Sequence, residues 1–139
     1  MLIVVNLIKN FKMKKISVII IFSLICVGIN SCDKDGLKGD ATVVAFPQHH
    51  GKDIFGATVY VKFKTKDLPS NPTTNYDLKI VGDANEEHVH IRGLLWGDYY
   101  LYAVGFDSTI HLPVIGGIAV PITWDKRQTE IDINVPVSE

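Results

Sequence analysis

Ala57-Thr58-Val59-Tyr60-Val61-Lys62-Phe63-Lys64 alternates without a break: Val59, Val61 and Phe63 fall on one face, Thr58, Tyr60, Lys62 and Lys64 on the other. Successive side chains of a strand point to opposite sides, so a period of two carried by β-branched and aromatic residues marks a strand with one face in a core. The pattern recurs outward. Tyr76, Leu78 and Ile80 alternate with Asp77 and Lys79, Val89 and Ile91 with His88 and His90, and Ile131, Ile133 and Val135 with Glu130, Asp132 and Asn134. Tyr99 to Val104 is almost continuously apolar and aromatic, as a central strand is. Ala41 to Phe46 supplies another strand, and Thr109 to Ile122 one or two more.

Breaks fall between these runs. Pro69-Ser70-Asn71-Pro72 cannot continue a hydrogen-bonded ladder, and Gly82-Asp83-Ala84-Asn85 and Gly116-Gly117 read as turns or bulges. Helical periodicity is missing after Cys32. Seven or so short strands in about 100 residues predict an all-β fold, an antiparallel sandwich over residues 41–139.

Upstream, Met13-Lys14-Lys15 precedes an apolar run from Ile16 to Ile29, then Asn30-Ser31-Cys32. The run is shorter than the roughly 20 residues a membrane-spanning helix needs. Positive residues, a short apolar stretch and small or polar residues before a cysteine give a signal peptide over 1–31, with Met13 as an alternative start. The segment Ile29-Asn30-Ser31-Cys32 resembles a bacterial lipobox, Asn30 departing from its usual small residue. Lipoproteins of Bacteroidota resemble it more closely, because Cys32 is followed by Asp33-Lys34-Asp35. That resemblance implies acylation of Cys32, an outer-membrane address and export to the cell surface. Residues 32–40, polar and glycine-containing, are then expected to be a tether.

The only other cysteine, Cys26, lies in the leader, so a mature chain would hold no disulfide and no thiolate metal site. The leader carries Lys9, Lys12, Lys14 and Lys15 and no acid. The remaining 108 residues therefore hold 10 basic and 15 acidic side chains, a charge of −5. A mildly acidic domain has no electrostatic footprint for nucleic acid.

Two stretches resemble a known group of sandwiches. Phe55-Gly56-Ala57-Thr58-Val59-Tyr60-Val61 resembles the opening of carboxypeptidase-regulatory-like and Cna-B-type domains, and Gly93-Leu94-Leu95-Trp96-Gly97-Asp98-Tyr99-Tyr100-Leu101 resembles their Leu-x-x-Gly-x-Tyr signature. The resemblance covers roughly 41–135 and implies a prealbumin-like, immunoglobulin-related architecture. In it Leu94 would pack between the sheets, Gly97 would permit a tight turn and Tyr99 would plug one end, in the manner of a tyrosine corner. The glycine usual in the turn before the signature strand is missing from Asp83-Ala84-Asn85-Glu86. Pro113-Val114-Ile115-Gly116-Gly117 after the tyrosine-rich run is similar to small Bacteroidota lipoproteins of unassigned function.

Chemistry-bearing residues are sparse. His88 and His90 share a strand face and could chelate one zinc or copper ion, with His49 or His50 completing the set. Against that, Val89 and Ile91 claim the core, which leaves His88 and His90 as a solvent-facing row. Intradiol dioxygenases pair tyrosines with a later His-x-His, whereas Tyr99, Tyr100 and Tyr102 follow His88-Val89-His90. Transthyretin-like hydrolases end in Tyr-Arg-Gly-Ser, where this chain has Val135-Pro136-Val137-Ser138-Glu139. Neither a nucleophile elbow nor a phosphate loop is present. Tyr100 and Tyr102 share one face, Tyr60 joins them across strands, and Trp96 sits in the adjoining loop. Such rings suit contact with protein or glycan, or else are cross-strand pairs that stabilise the sheet. The sequence thus points to a lipid-anchored, non-enzymatic binding or structural module of the envelope with no required cofactor. The alternatives are a small metal-binding protein and an accessory subunit of an adhesin, pilus or glycan-uptake assembly.

Overall fold

The computed structural model describes residues 34–139. Cys32 and the leader expected over 1–31 lie outside the described residues. Eight strands follow one another: β1 (Leu37–His49), β2 (Lys52–Asp53), β3 (Thr58–Phe63), β4 (Leu78–Val81), β5 (Val89–Leu94), β6 (Gly97–Asp107), β7 (Leu112–Ile122) and β8 (Glu130–Pro136). A single 3-10 turn, Trp124–Lys126, links the last two.

The strands form an all-β sandwich of two four-stranded sheets. In the first, β1 is flanked by β5 and the short β2 on one edge and by β8 on the other. The second has the order β4-β3-β6-β7 and is antiparallel throughout. Between them lie the residues that the alternation assigned to the interior. Val59 and Val61, Val89 and Ile91, Tyr99, Leu101 and Ala103, and Val135 are all buried, and Leu94 packs there as expected. One pairing is not antiparallel: β8 runs parallel to β1, from Thr42 opposite Glu130 to Gln48 opposite Pro136. A hairpin forces strands to be antiparallel, but these two are joined by the rest of the fold, so no short connection dictates their direction.

Tyr99 closes one end. Its hydroxyl donates to the Leu95 carbonyl at 2.7 Å and accepts the Gly36 N–H at 2.9 Å, while Phe63 meets its ring edge-on. Gly97 opens β6 at φ +151°, and a Cβ there would run into Asp35. The turn that lacks its glycine is closed by Asp83, whose Oδ1 accepts the Asn85 N–H at 2.9 Å and whose carbonyl accepts the Glu86 N–H at 3.1 Å.

Three expectations are corrected. The tether expected over 32–40 is, from Asp35 onward, part of the domain. Asp35 N–H donates to Trp96 O at 3.0 Å, Leu95 N–H donates to Gly36 O at 2.9 Å, and Leu37 pairs with Leu94. The polar, glycine-containing stretch makes a bulge between Leu37 and Ala41 rather than a flexible spacer. Gly116-Gly117 makes no turn but lies inside β7. A Cβ on Gly116 would stand 2.1 Å from the Pro136 carbonyl oxygen, and one on Gly117 2.4 Å from that of Leu101. Close approach, not chain reversal, requires glycine there. Tyr76 does not follow Leu78 and Ile80 into the core, because β4 starts only at Leu78; its ring instead meets Tyr60 at 5.0 Å.

Candidate functional site

At the opposite end of β1 the chain reverses in two residues. His49 pairs with Lys52, and His50 and Gly51 take φ of +49° and +77°, as a tight hairpin of right-handed twist requires. Neighbours on a strand normally face apart, but the left-handed conformation of His50 brings its ring beside that of His49, with centroids 4.2 Å apart.

His49 continues the inward phase of Val43 and Ala45 and is only 3% exposed. Its Nδ1 lies 2.8 Å from Asp107 Oδ2 and its Nε2 2.8 Å from Glu139 Oε2. Asp107 ends β6 on the same inward phase as Leu101 and Ala103, and its Oδ1 accepts the Thr109 N–H at 2.7 Å. Glu139 is delivered by the stretch after β8. Val137 N–H donates to Gln48 O at 3.0 Å, and Ser138 exchanges two 2.8 Å hydrogen bonds with Ile115, crossing from the first sheet to the edge of the second.

An imidazole has two N–H donors only when protonated, and both nitrogens here face carboxylates. The Asp107 hydrogen bond raises the His49 pKa above its ordinary value; burial opposes it and Glu139 reinforces it. Asp107 is held far below the usual carboxylate range, first by Thr109 and then by His49. Glu139 is lowered too, by its own backbone N–H and then by His49.

One ligand atom each from His49, His50 and Glu139 lies within 4.8 Å of the others, the single such group among the described residues. Beside them a shallow groove of about 420 Å³ is lined by Gln48, His50, Ile118, Asn134, Pro136 and Val137.

The four histidines grouped from the sequence separate into two pairs. His88 and His90 stand on the outer face of the first sheet, 4.8 Å apart between ring centroids, with His88 leaning on Phe46 and His90 opposite Val44. The Nδ1 atoms of both are shut from solvent and meet no hydrogen-bond partner. His49 points to the inner side of the same sheet, so the sheet itself divides the pairs.

The aromatic face largely assembles. Tyr60 lies opposite Tyr102 and Lys62 opposite Tyr100 on the outer side of the β4-β3-β6-β7 sheet. Lys79 Nζ sits 5.4 Å from the Tyr60 ring, and Val104, Phe106 and Ile115 extend the surface, Phe106 and Ile115 being exposed. Trp96 does not belong to it. Its ring packs edge-on against Trp124 at 5.7 Å, with Lys34 Nζ 5.4 Å away, at the Tyr99-plugged end.

The roles of Asp107, Glu139 and Tyr76 are absent from the sequence reading. For Asp107 a signal exists, a carboxylate on the core-facing phase of a strand; for Glu139 there is none. Comparison with protein-family models, with curated proteins and with solved structures finds no match.

Proposed function

We propose that the protein is a non-catalytic binding module of the cell envelope, anchored by lipid on Cys32, that docks a second envelope protein on the outer face of the β4-β3-β6-β7 sheet. The observation that carries this reading is the surface around the Tyr60–Tyr102 pair. Its rings continue into the aliphatic and aromatic side chains of Val81, Val104, Phe106 and Ile115, with Lys79 against the Tyr60 ring and the ion pairs Lys62–Asp77 and Lys66–Asp98 alongside. Aromatic enrichment at the centre of an exposed patch is a mark of a protein–protein interface. A glycan platform would instead surround its rings with hydrogen-bonding side chains.

The anchor fits the same picture. Cys32 is three residues from Asp35, which is hydrogen-bonded to the Trp96 loop. At roughly 3.5 Å per residue the lipid attaches within about 10 Å of that end. An orientation with the Trp96–Trp124 end toward the bilayer would leave the tyrosine face side-on and free. The resemblance to lipoproteins and to carboxypeptidase-regulatory-like sandwiches agrees with a tethered module.

The test is affinity capture from detergent-solubilised envelopes with wild type, Phe106→Lys and a His88→Ala control, together with mass spectrometry of the mature N-terminus. A stoichiometric protein partner kept by wild type and control and lost by Phe106→Lys is expected, with an acylated Cys32. Retention by all three, a glycan in place of a protein, or self-association alone would overturn the docking reading. An unmodified N-terminus away from Cys32 would remove the anchor.

A further inference from the structure

We infer that His49, His50 and Glu139 form a binding site for a divalent transition metal, zinc or copper, with Asp107 holding His49 from behind. The geometry is specific. The three side chains come from a hairpin turn and from the segment that follows β8, and their ligand atoms gather within 4.8 Å. His49 is buried and fixed, whereas His50 and Glu139 are exposed and free to adjust.

Asp107 engages Nδ1 and so leaves Nε2 to face the two exposed ligands. A carboxylate on the far nitrogen is the usual support of a metal-bound imidazole, because it fixes the ring's tautomer and orientation. The strain points the same way. A non-glycine residue in the left-handed region is disfavoured, and glycine or asparagine is the common choice in this kind of turn. His50 takes that conformation at φ +49°, and the result is a second imidazole beside the first.

Two imidazoles and one carboxylate without a thiolate suit zinc(II) or copper(II), whereas calcium and magnesium prefer all-oxygen shells. Metal–ligand bonds of about 2.0–2.2 Å spread neighbouring ligand atoms to roughly 3.3 Å. Glu139 Oε2, now 2.8 Å from Nε2, therefore swings outward as the ion takes the place of the Nε2 proton, which leaves to solvent. Three protein ligands leave a coordination position open, and the groove beside His50 gives water or a small donor ligand room to fill it. The inference is independent of the docking face, which lies on the outer side of the other sheet.

The test is calorimetric titration of the chelator-stripped full chain with zinc sulfate and with copper sulfate. One ion per chain with micromolar or tighter affinity is expected. His50→Ala and Glu139→Gln, both at exposed positions, should each weaken binding at least tenfold, and His88→Ala/His90→Ala should leave it unchanged. Asp107→Asn should weaken it about 10- to 100-fold and alter the visible spectrum of the cobalt-loaded protein, a signature that loss of packing alone would not produce. Absence of saturable binding, equal affinity in wild type and His50→Ala, or loss confined to the His88/His90 variant would each overturn the assignment and leave the cluster as an ion-pair clamp.

Discussion

Asp107 and His49, 58 residues apart in the chain, meet at 2.8 Å at the end of the sandwich opposite the Tyr99 plug, and the other ring nitrogen of His49 meets Glu139 at the same distance. This arrangement gives metal-free stability a definite pH profile. The His49 pKa is raised from 6.5, so the stability it contributes is fully present below about that pH and is lost as pH rises through the folded value. Asp107 and Glu139 are lowered from 3.8 and 4.5, so their share is present above those values and is lost as pH falls through the folded ones. The urea midpoint should therefore peak in the weakly acidic window between the carboxylate values and 6.5. It should decline toward pH 8, and Asp107→Asn should flatten both limbs. A midpoint that climbs steadily from pH 5 to 8 would contradict a protonated His49.

Tyr99→Phe isolates the hydroxyl that plugs the opposite end. The ring and its contact with Phe63 remain, but the Gly36 N–H loses its acceptor and the Leu95 carbonyl its donor in a buried setting. Leaving buried backbone groups unpaired costs about 1–3 kcal/mol. The expected result is a lower urea midpoint at unchanged slope, with faster amide exchange at Gly36. An unchanged midpoint would mean that water restores both bonds.

The strands were legible because alternation is a local property. Alternation reads out which face of a strand is dry, whereas the Tyr99 plug entered only as what the resemblance of Gly93–Leu101 to the Leu-x-x-Gly-x-Tyr signature implies. What was not legible depends on contacts distant in the chain. Gly116 and Gly117 carry the same letters whether they turn a chain or let two backbones touch, and only the position of Pro136 decides. The polar run before Ala41 looks like a spacer until Leu94 and Trp96 are there to bind it. His49 was visible as a ligand type, but its partners come from the end of β6 and from beyond β8. The grouping with His88 and His90 required ignoring that His49 sits on the inward phase of β1 and His90 on the outward phase of β5.

Gly116→Ala tests the close approach directly. Alanine suits a strand better than glycine, so propensity alone would make the change stabilising. The added Cβ would stand 2.1 Å from the Pro136 carbonyl oxygen and 2.8 Å from the Val137 Cα, and backbone cannot move aside as a side chain can. Overpacking of this kind costs roughly 1–3 kcal/mol. The loss should concentrate at the Ile115–Ser138 exchange, visible as faster amide exchange there than in the Val59–Val61 interior. Because that exchange delivers Glu139 to His49, Gly116→Ala should also lower the His49 pKa, measurable by imidazole NMR.

The chain holds two tryptophans, and they pack edge-on together at the end where Asp35 is bound. Trp124 is 54% exposed, with the Arg127 guanidinium 4.0 Å from its ring centroid and Lys34 beside Trp96. Indole rings flanked by cations are the groups that settle at a membrane–water interface. If lipid on Cys32 draws this end to the bilayer, both fluorophores lie near the headgroups. The acylated chain reconstituted in vesicles carrying a shallow spin-labelled lipid should lose much of its tryptophan emission. Cys32→Ser, which offers no thiol to acylate, should keep its emission in the same vesicles. The tyrosine face gives an internal contrast: a fluorophore attached at Tyr102→Cys should escape quenching in the acylated protein. Equal quenching at both places would mean that the domain lies on its tyrosine face against the lipid, which would close that surface to a protein partner.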